Sequence, residues 1–409
     1  MSNLQAEALD AADPLRPVRE RFDLSPDLIY LDGNSLGPLP IGVSQAVQTT
    51  LDQDWQSGLV RSWNQADWID LPERVGEQIA PLLGAAAGQV ICCDSTSVNL
   101  FKVLAAAVHL IDGPATVLTE TGNFPSDLYI ADGLRQLMGS DRLTIRSVPG
   151  EQLFEALDRS VSILMLTHVN FRNGALHDLR AFTQRAASLG ILTIWDLSHS
   201  TGIIDLELDD AGVDFAVGCG YKYLCGGPGA PGYVYVAHRH QKSARQPLSG
   251  WMGHAEPFAF SPEFTSAQGM KQFLTGTPAI LSMVALSAAL KIFDGIDLQA
   301  VRHKSRQLGD FWVSCMNEAH LPVRLASPSD ASDRGAQVCY HHSEAYAVIQ
   351  ALADMQVLGD FRAPDVMRFG FHPLFTSFTD LAHAASRLTE VIQLESFKAE
   401  RYQARKAVT

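Results

Sequence analysis

The chain contains no run of about 18 uninterrupted apolar residues, so no membrane-spanning helix is expected. Its first residues, MSNLQAEALDAADPLRPVRERF, are polar and charged and lack the apolar core of a secretory signal. Positive charge is in deficit: 31 Lys and Arg face 45 Asp and Glu, a formal charge of −14. That balance argues against nucleic acid or an anionic membrane as partner, since both need a basic face. The six cysteines (Cys92, Cys93, Cys219, Cys225, Cys315 and Cys339) form no regular framework, which suits reduced thiols of a cytoplasmic protein. The adjacent Cys92 and Cys93 do not have zinc-knuckle spacing, and His168 and His177 lack ligand partners at a recognised spacing, so no metal is expected. There is no internal repeat. The glycines of GCGYKYLCGG do not form a GxGxxG after a first strand, so a dinucleotide fold is disfavoured.

What is present is an ordinary globular composition, 46% hydrophobic and 19% charged, in 409 residues, long enough for two domains. Residues 1–29 suggest outer helices. YLDGNSLGPLP (30–40) is turn-rich and predicts a loop, in which Asn34 and Ser35 either face a site or cap turns. Residues 41–62 carry a loose helical pattern. From about residue 90, short apolar runs recur: ATVLTE (115–120), VSILMLT (161–167), ILTIWD (191–196), FAVGC (215–219) and YVYVAH (233–238). Several are continuous rather than alternating, as in strands buried on both faces. Helical segments at 97–111 and 179–190 separate some of them, the second stopping at Gly190. The pattern predicts an α/β fold: a mostly parallel sheet with helices on both faces and ligands beyond the strands' carboxyl ends. A long helix is predicted at 278–294, with Thr277 as N-cap and Pro278 at its first position. The expected division is a large α/β domain at 45–290 and a smaller α+β domain formed by 1–44 and 291–409.

Five groups of residues bear on chemistry. Asp196 ends an apolar run, His199 follows three residues later, and Lys222 lies 26 residues past the aspartate, after a second apolar run and between Tyr221 and Tyr223. An acid and a lysine on neighbouring strand ends can grip two ends of one small, flat, charged molecule, and pyridoxal phosphate is the candidate. A Schiff-base lysine must be partly desolvated, and a carboxylate against the ring nitrogen keeps it protonated. Read alone, Lys222 is equally a turn lysine and Asp196 equally a helix cap. His199 is placed to orient Asp196 or stack on a ring, or is simply a polar residue with its own partner. Ser95, Thr96 and Ser97 stand at a helix mouth suited to an anion; one hydroxyl is explained by N-capping, three are not required by it. Phe124 and Asp127 in FPSD suit a ring cover and a polar contact, or a plain β-turn. Arg368 suits a bidentate grip on a substrate carboxylate, or an ordinary place on a surface strand. Trp63 and Trp68 say little alone.

Taken together, the stretches YLDGNSLGPLP, STSVNLFKVL, NFPSDLYI, WDLSHSTG, DFAVGCGYKYLCGGPGAPG, GWMGH, FLTGTPAIL and RFGFHPLFTSF resemble the kynureninases, within the fold-type I pyridoxal-phosphate enzymes. The resemblance runs in order from about residue 30 to 380. It implies that Lys222 carries the cofactor and that Asp196 pairs with its ring nitrogen, with His199 nearby. Thr96, Ser97 and Tyr221 would hold the phosphate, Phe124 and Asp127 would contact the ring, and Thr167 would neighbour its 3′ oxygen. Trp251 and Thr277 would reach in from the second subunit of a homodimer. Arg368 would anchor the substrate carboxylate, with Trp63, Gly276, Thr277 and Asn34 around the substrate. Thr277 stands where some members have asparagine, which bears on ring-substituent preference.

The implied reaction is hydrolysis of L-kynurenine, or its 3-hydroxy form, to anthranilate (or 3-hydroxyanthranilate) and L-alanine in tryptophan catabolism, with Tyr221 as acid–base group. Two alternatives are a sister enzyme of the same fold, such as a class V aminotransferase or a cysteine desulfurase, for which no cysteine lies in an obvious flexible loop late in the chain and Cys339 is the remaining candidate, and a non-catalytic binding protein.

Overall fold

The computed structural model describes residues 3–405. A seven-stranded sheet forms its centre. Its spatial order is Val90–Cys92, Gly232–Val236, Phe215–Cys219, Leu192–Asp196, Ile163–Thr167, Ala115–Glu120 and Leu143–Val148. Only Gly232–Val236 runs antiparallel to its neighbours. The five predicted apolar runs are the five inner strands. Ile163–Thr167, Phe215–Cys219 and Gly232–Val236 are buried at every position, which is why they lack alternation. The edge strand Leu143–Val148 is mostly half-exposed and carries Thr144, Arg146 and Ser147.

Helices cover both faces, as expected. Thr96–His109 begins where Ser95 Oγ accepts from the Val98 N–H. Leu179–Ser188 begins at the Asp178 cap, and Gly190, at φ +76°, turns the chain after it. The sequence-based helix at 278–294 is corrected: the α-helix is Ile280–Ala289, capped by Ala279 and followed by a 3₁₀ turn, Leu290–Phe293. Thr277 and Pro278 lie ahead of it in irregular backbone, so Thr277 is no N-cap. Pro fixes only its own φ, and tertiary packing let the helix start two residues later.

A second sheet, antiparallel and four-stranded, has the order Asp360–Arg362, Val366–Gly370, Gln337–His341, Arg324–Leu325. Helices Leu298–Ala319, Ala345–Asp354 and Phe378–Gln393 pack with it around a core that includes Trp312, Phe369 and Phe371. Ser377 and Asp380 form a capping box that starts the last of these helices. The N-terminal segment joins this core through Ala6, Ile29 and Leu31, and Ile29–Tyr30 pairs in parallel with Val357–Leu358.

The 30–40 loop then leaves that sheet and runs beneath the lysine segment. The Gly37 N–H donates to the Tyr221 carbonyl at 2.8 Å. A Cβ at Gly37 would fall 2.3 Å from the Lys222 carbonyl oxygen, so only glycine permits this approach. Among the described residues, no helix is long and apolar enough to cross a membrane.

Candidate active site

Parallel pairing sets Thr167 directly beside Asp196, and Asp196 beside Val217. Three adjacent strands therefore end together, at Thr167, Asp196 and Cys219, and Lys222 follows the third by three residues. The strand Val90–Cys92 runs the same way, so the helix mouth at Ser95–Ser97 opens at the same edge. A cleft of about 120 Å³ lies there, lined by Thr96, Ser97, Phe124, Asp127, Asp196, Tyr221 and Lys222, with Ser126, Ser198 and Cys219 between them. Four separate sequence motifs thus share one wall-to-wall site.

Asp196 is buried and held at one oxygen only. The Ser198 N–H and Oγ–H both donate to Oδ1, at 2.8 and 2.6 Å. Across the cleft, Thr167 Oγ1 lies 3.1 Å from Asp127 Oδ2 and also contacts Asn123 Oδ1. Burial, reinforced by the nearby Asp196 charge, pushes the Asp127 carboxyl well above its ordinary range. Burial likewise pushes the Tyr221 phenol up, with Cys219 and Asp196 adding to it, so Tyr221 keeps its proton at neutral pH. The Lys222 Nζ sits 5.9 Å from the ring centres of both Phe124 and Tyr221. Among the described residues it makes no salt bridge, so its amine is available to a ligand.

The cleft fits pyridoxal phosphate by its donors. Thr96 Oγ1 is buried without a partner at the start of the helix, an unusual and costly state that an incoming phosphate oxygen relieves. Ser97 Oγ meets Ser126 Oγ at 2.7 Å and retains accepting and donating capacity. Gly232 lines the same end, and a Cβ there would stand 3.1 Å from the Thr96 nitrogen, crowding the cradle. Asp196 Oδ2, the Phe124 ring and the Lys222 amine would suit a ring nitrogen, a ring face and an aldehyde.

A chamber of about 450 Å³ adjoins the cleft across Ser95, Tyr221 and Ala230, and Thr275, Gly276 and Thr277 line it. Trp63 and Trp251 line neither cavity. Trp63 is half-buried edge-on to Trp68 at 6.0 Å. Trp251 is 36% exposed and meets Phe258 edge-on at 5.6 Å.

Of the readings open for His199, orienting Asp196 is set aside: its Nδ1 pairs with Gln337 Oε1 at 3.2 Å, as for a polar residue with its own partner, and burial with the nearby Lys222 and Arg368 charges holds the imidazole neutral. Ser198 takes the orienting place, through a side chain two residues on that closes a local turn, a signal readable in the sequence. Arg368 is no surface arginine and offers no open fork. It is 1% exposed. Its Nε donates to Asp360 Oδ1 at 2.7 Å, its Nη2 donates to Asp360 Oδ2 and to Ser35 Oγ at 2.7 Å, and its Nη1 donates to the Phe171 carbonyl at 2.7 Å. Asn34 is fully buried beside this group, its carboxamide 3.0 Å from Gln337 Oε1 and 3.1 Å from Arg368 Nε. Burial and the adjacent Asp360 push the Asp32 carboxyl there up to about 7. Asp360 and Gln337 carried no local signal and are brought in by pairing between distant segments, while Asn123, which opens the NFPSDLYI stretch, was passed over. Cys339 is buried with its thiol pushed up to about 12, unlike an exposed reactive cysteine.

The family model described as "Kynureninase C-terminal domain" matches residues 301–388. The kynureninase of Deinococcus radiodurans is 45% identical over 395 residues, covering 95% of this chain and 96% of its own. The kynureninase of Pseudomonas fluorescens is 43% identical over 409 residues, covering 98% of each. Among solved structures, an apo cysteine desulfurase from Thermococcus onnurineus NA1 superposes with a TM-score of 0.78 at 17% identity, covering 92% of this chain and 98% of that one. A mutant of C-DES with glycine covalently linked to its PLP cofactor superposes with a TM-score of 0.79 at 17% identity, covering 91% and 99%. At that identity the two structures speak for the fold alone, fold-type I. The full-length match to the two curated relatives decides among members of the fold: the chain belongs to the kynureninase family.

Proposed function

We propose that this protein hydrolyses the Cβ–Cγ bond of L-kynurenine, giving anthranilate and L-alanine, with pyridoxal phosphate as cofactor. The observation that carries the reading is the single cleft in which Lys222, Asp196 and the unpartnered Thr96 hydroxyl meet. When bound, the cofactor supplies an aldehyde for amines and a protonated ring that accepts electrons from the substrate's α-carbon.

The residues around it divide the remaining work. Lys222 would hold the cofactor's aldehyde end, and its free amine is placed to move the substrate's α-proton. Asp196, fixed through Oδ1 by Ser198, would hold the ring-nitrogen proton with Oδ2. Thr96, Ser97 and Tyr221 would hold the phosphate, Phe124 would cover the ring, and Asp127 with Thr167 would meet its 3′ oxygen. Tyr221, kept protonated by burial, serves as proton donor in the later steps. Arg368 binds the substrate carboxylate. Water supplies the oxygen gained by the aryl fragment, and its protons complete the two products.

The same reading assigns Trp251 and Thr277 to the neighbouring site of a homodimer, with Trp63, Gly276 and Asn34 around the substrate. The exposure of Trp251 and its absence from its own chain's cleft support that assignment. It places the cofactor-binding unit at 45–290 and the second unit at 1–44 with 291–409, and it makes the protein a cytoplasmic one.

The test is release of fluorescent anthranilate and of L-alanine from kynurenine by the purified protein with pyridoxal phosphate, run beside Lys222→Ala. Wild-type turnover with a colourless, inactive variant is expected. Normal cleavage by Lys222→Ala sinks the assignment.

A further inference from the structure

The guanidinium of Arg368 has five N–H donors. Four are engaged: two on Asp360, one on Ser35 and one on the Phe171 carbonyl. One Nη1 hydrogen remains. A free two-pronged grip on a carboxylate is thus closed off by the chain itself, and the engaged partners decide where the last donor stands.

Asp360 dominates that arrangement. It is directly opposite Arg368 in the antiparallel pair of Asp360–Arg362 with Val366–Gly370. It is 3% exposed. Its two oxygens take the Nε and Nη2 edge in the fork geometry, Oδ2 also accepts from Ser35 Oγ at 3.0 Å, and Arg362 Nη2 forms an ion pair with Oδ2 at 2.7 Å. The Phe171 carbonyl that receives Nη1 belongs to a residue whose ring packs edge-on against Phe124 at 5.1 Å, so the arginine's rotation is tied to the cover of the cofactor cleft.

We infer that Asp360 is a positioning residue for substrate binding: it fixes the Arg368 guanidinium in one rotation, with Ser35 as auxiliary, so that the single remaining Nη1 hydrogen meets the α-carboxylate of the amino-acid substrate. This rests on the reading that Arg368 binds that carboxylate. Asp360 never touches substrate. Its effect therefore falls on ligands that carry an α-carboxylate and on no others.

Asparagine at 360 would turn an N–H₂ group toward one arginine N–H and rotate the guanidinium away. Loss of one charge-assisted hydrogen bond corresponds to about a tenfold loss of affinity. In the Asp360→Asn holoenzyme, KM for kynurenine is expected to rise about tenfold while kcat changes much less. Inhibition by L-alanine, which keeps the carboxylate, weakens by a similar factor, whereas inhibition by 2-aminoacetophenone, which lacks it, is unchanged. The cofactor spectrum stays that of wild type. Arg368→Lys, measured in parallel, separates the two ideas. A raised KM there with an unchanged KM in Asp360→Asn overturns the role of Asp360 alone. An unchanged KM in Arg368→Lys overturns the carboxylate reading beneath it. Equal weakening of both inhibitors by Asp360→Asn also overturns the inference, since it marks general distortion. Should Asp360→Asn fail to fold, Ser35→Ala is the second probe: selective weakening of L-alanine binding supports the clamp, and no change contradicts it.

Discussion

Ser198 binds Asp196 through one carboxylate oxygen only, using both its backbone N–H and its hydroxyl. The other oxygen makes no hydrogen bond among the described residues and, on the proposed role of Asp196, would take the ring nitrogen of the cofactor. Ser198→Ala removes the 2.6 Å hydroxyl bond and keeps the backbone bond. Loss of one hydrogen bond to a charged group predicts a cofactor dissociation constant raised about tenfold. Titration of the apoenzyme with pyridoxal phosphate, followed by absorbance, checks this; wild-type affinity would show that the backbone bond suffices.

Thr96 gives a prediction of opposite sign for the two states. Its hydroxyl is buried and unpartnered without ligand. Thr96→Val keeps the shape and deletes the unsatisfied group, so the melting temperature of the apoenzyme is expected to hold or rise. The same change deprives the phosphate of a donor, and cofactor affinity falls about tenfold. A variant equally weakened in both states would mean that Thr96 has a purely structural partner.

Stability should fall in acid through two buried histidines. Burial lowers His168 to about 3 and His372 to about 4. In the unfolded chain both take up protons below about pH 6.5, where the native state still refuses them. The unfolded state then binds more protons, so the contribution is complete above pH 6.5 and lost as pH falls toward 4. His372→Gln can keep the bond that Nε2 makes to the Tyr223 carbonyl at 2.9 Å, yet cannot titrate. The gap in melting temperature between wild type and His372→Gln should narrow between pH 7 and 4.5. A gap independent of pH would show that His372 titrates alike folded and unfolded.

The assignment of Trp251 to a neighbouring site predicts complementation. Lys222→Ala and Trp251→Ala homodimers are each expected to be impaired. Mixed and refolded together, they form hybrids in which one site carries both defects and the other neither. Activity of the mixture should exceed that of either parent. If the tryptophan serves its own chain's site, every hybrid site keeps one defect and nothing is regained.

Some of this protein was legible without coordinates. Continuous apolar runs marked the inner strands because burial on both faces leaves no polar alternation. Asp196 and Lys222 could be set near strand ends because one ends such a run and the other follows one closely, whereas Thr167 was reached only through the resemblance. Ser95 announced its helix by local capping chemistry, and the Ser198 contact lay within reach of the same reasoning, since a side chain bonding two residues away is a local event.

Tertiary structure decided the rest. Parallel register, not spacing, puts Thr167 beside Asp196 and closes the cleft. Arg368 read either as a bidentate carboxylate grip or as a surface-strand arginine, and only the fold of the second sheet brings Asp360 opposite it and Ser35 against it. His199 had Asp196 as its nearest candidate in sequence, and Gln337, 138 positions away, took the bond instead. Thr277 and Pro278 carried a sound local start signal, yet the helix begins at Ile280. Local hydrogen bonds and buried periodicity are written in neighbouring residues and can be read from them. The partners of a buried charge are chosen by whichever distant segments the core brings within 3 Å, and the chain order does not encode that directly.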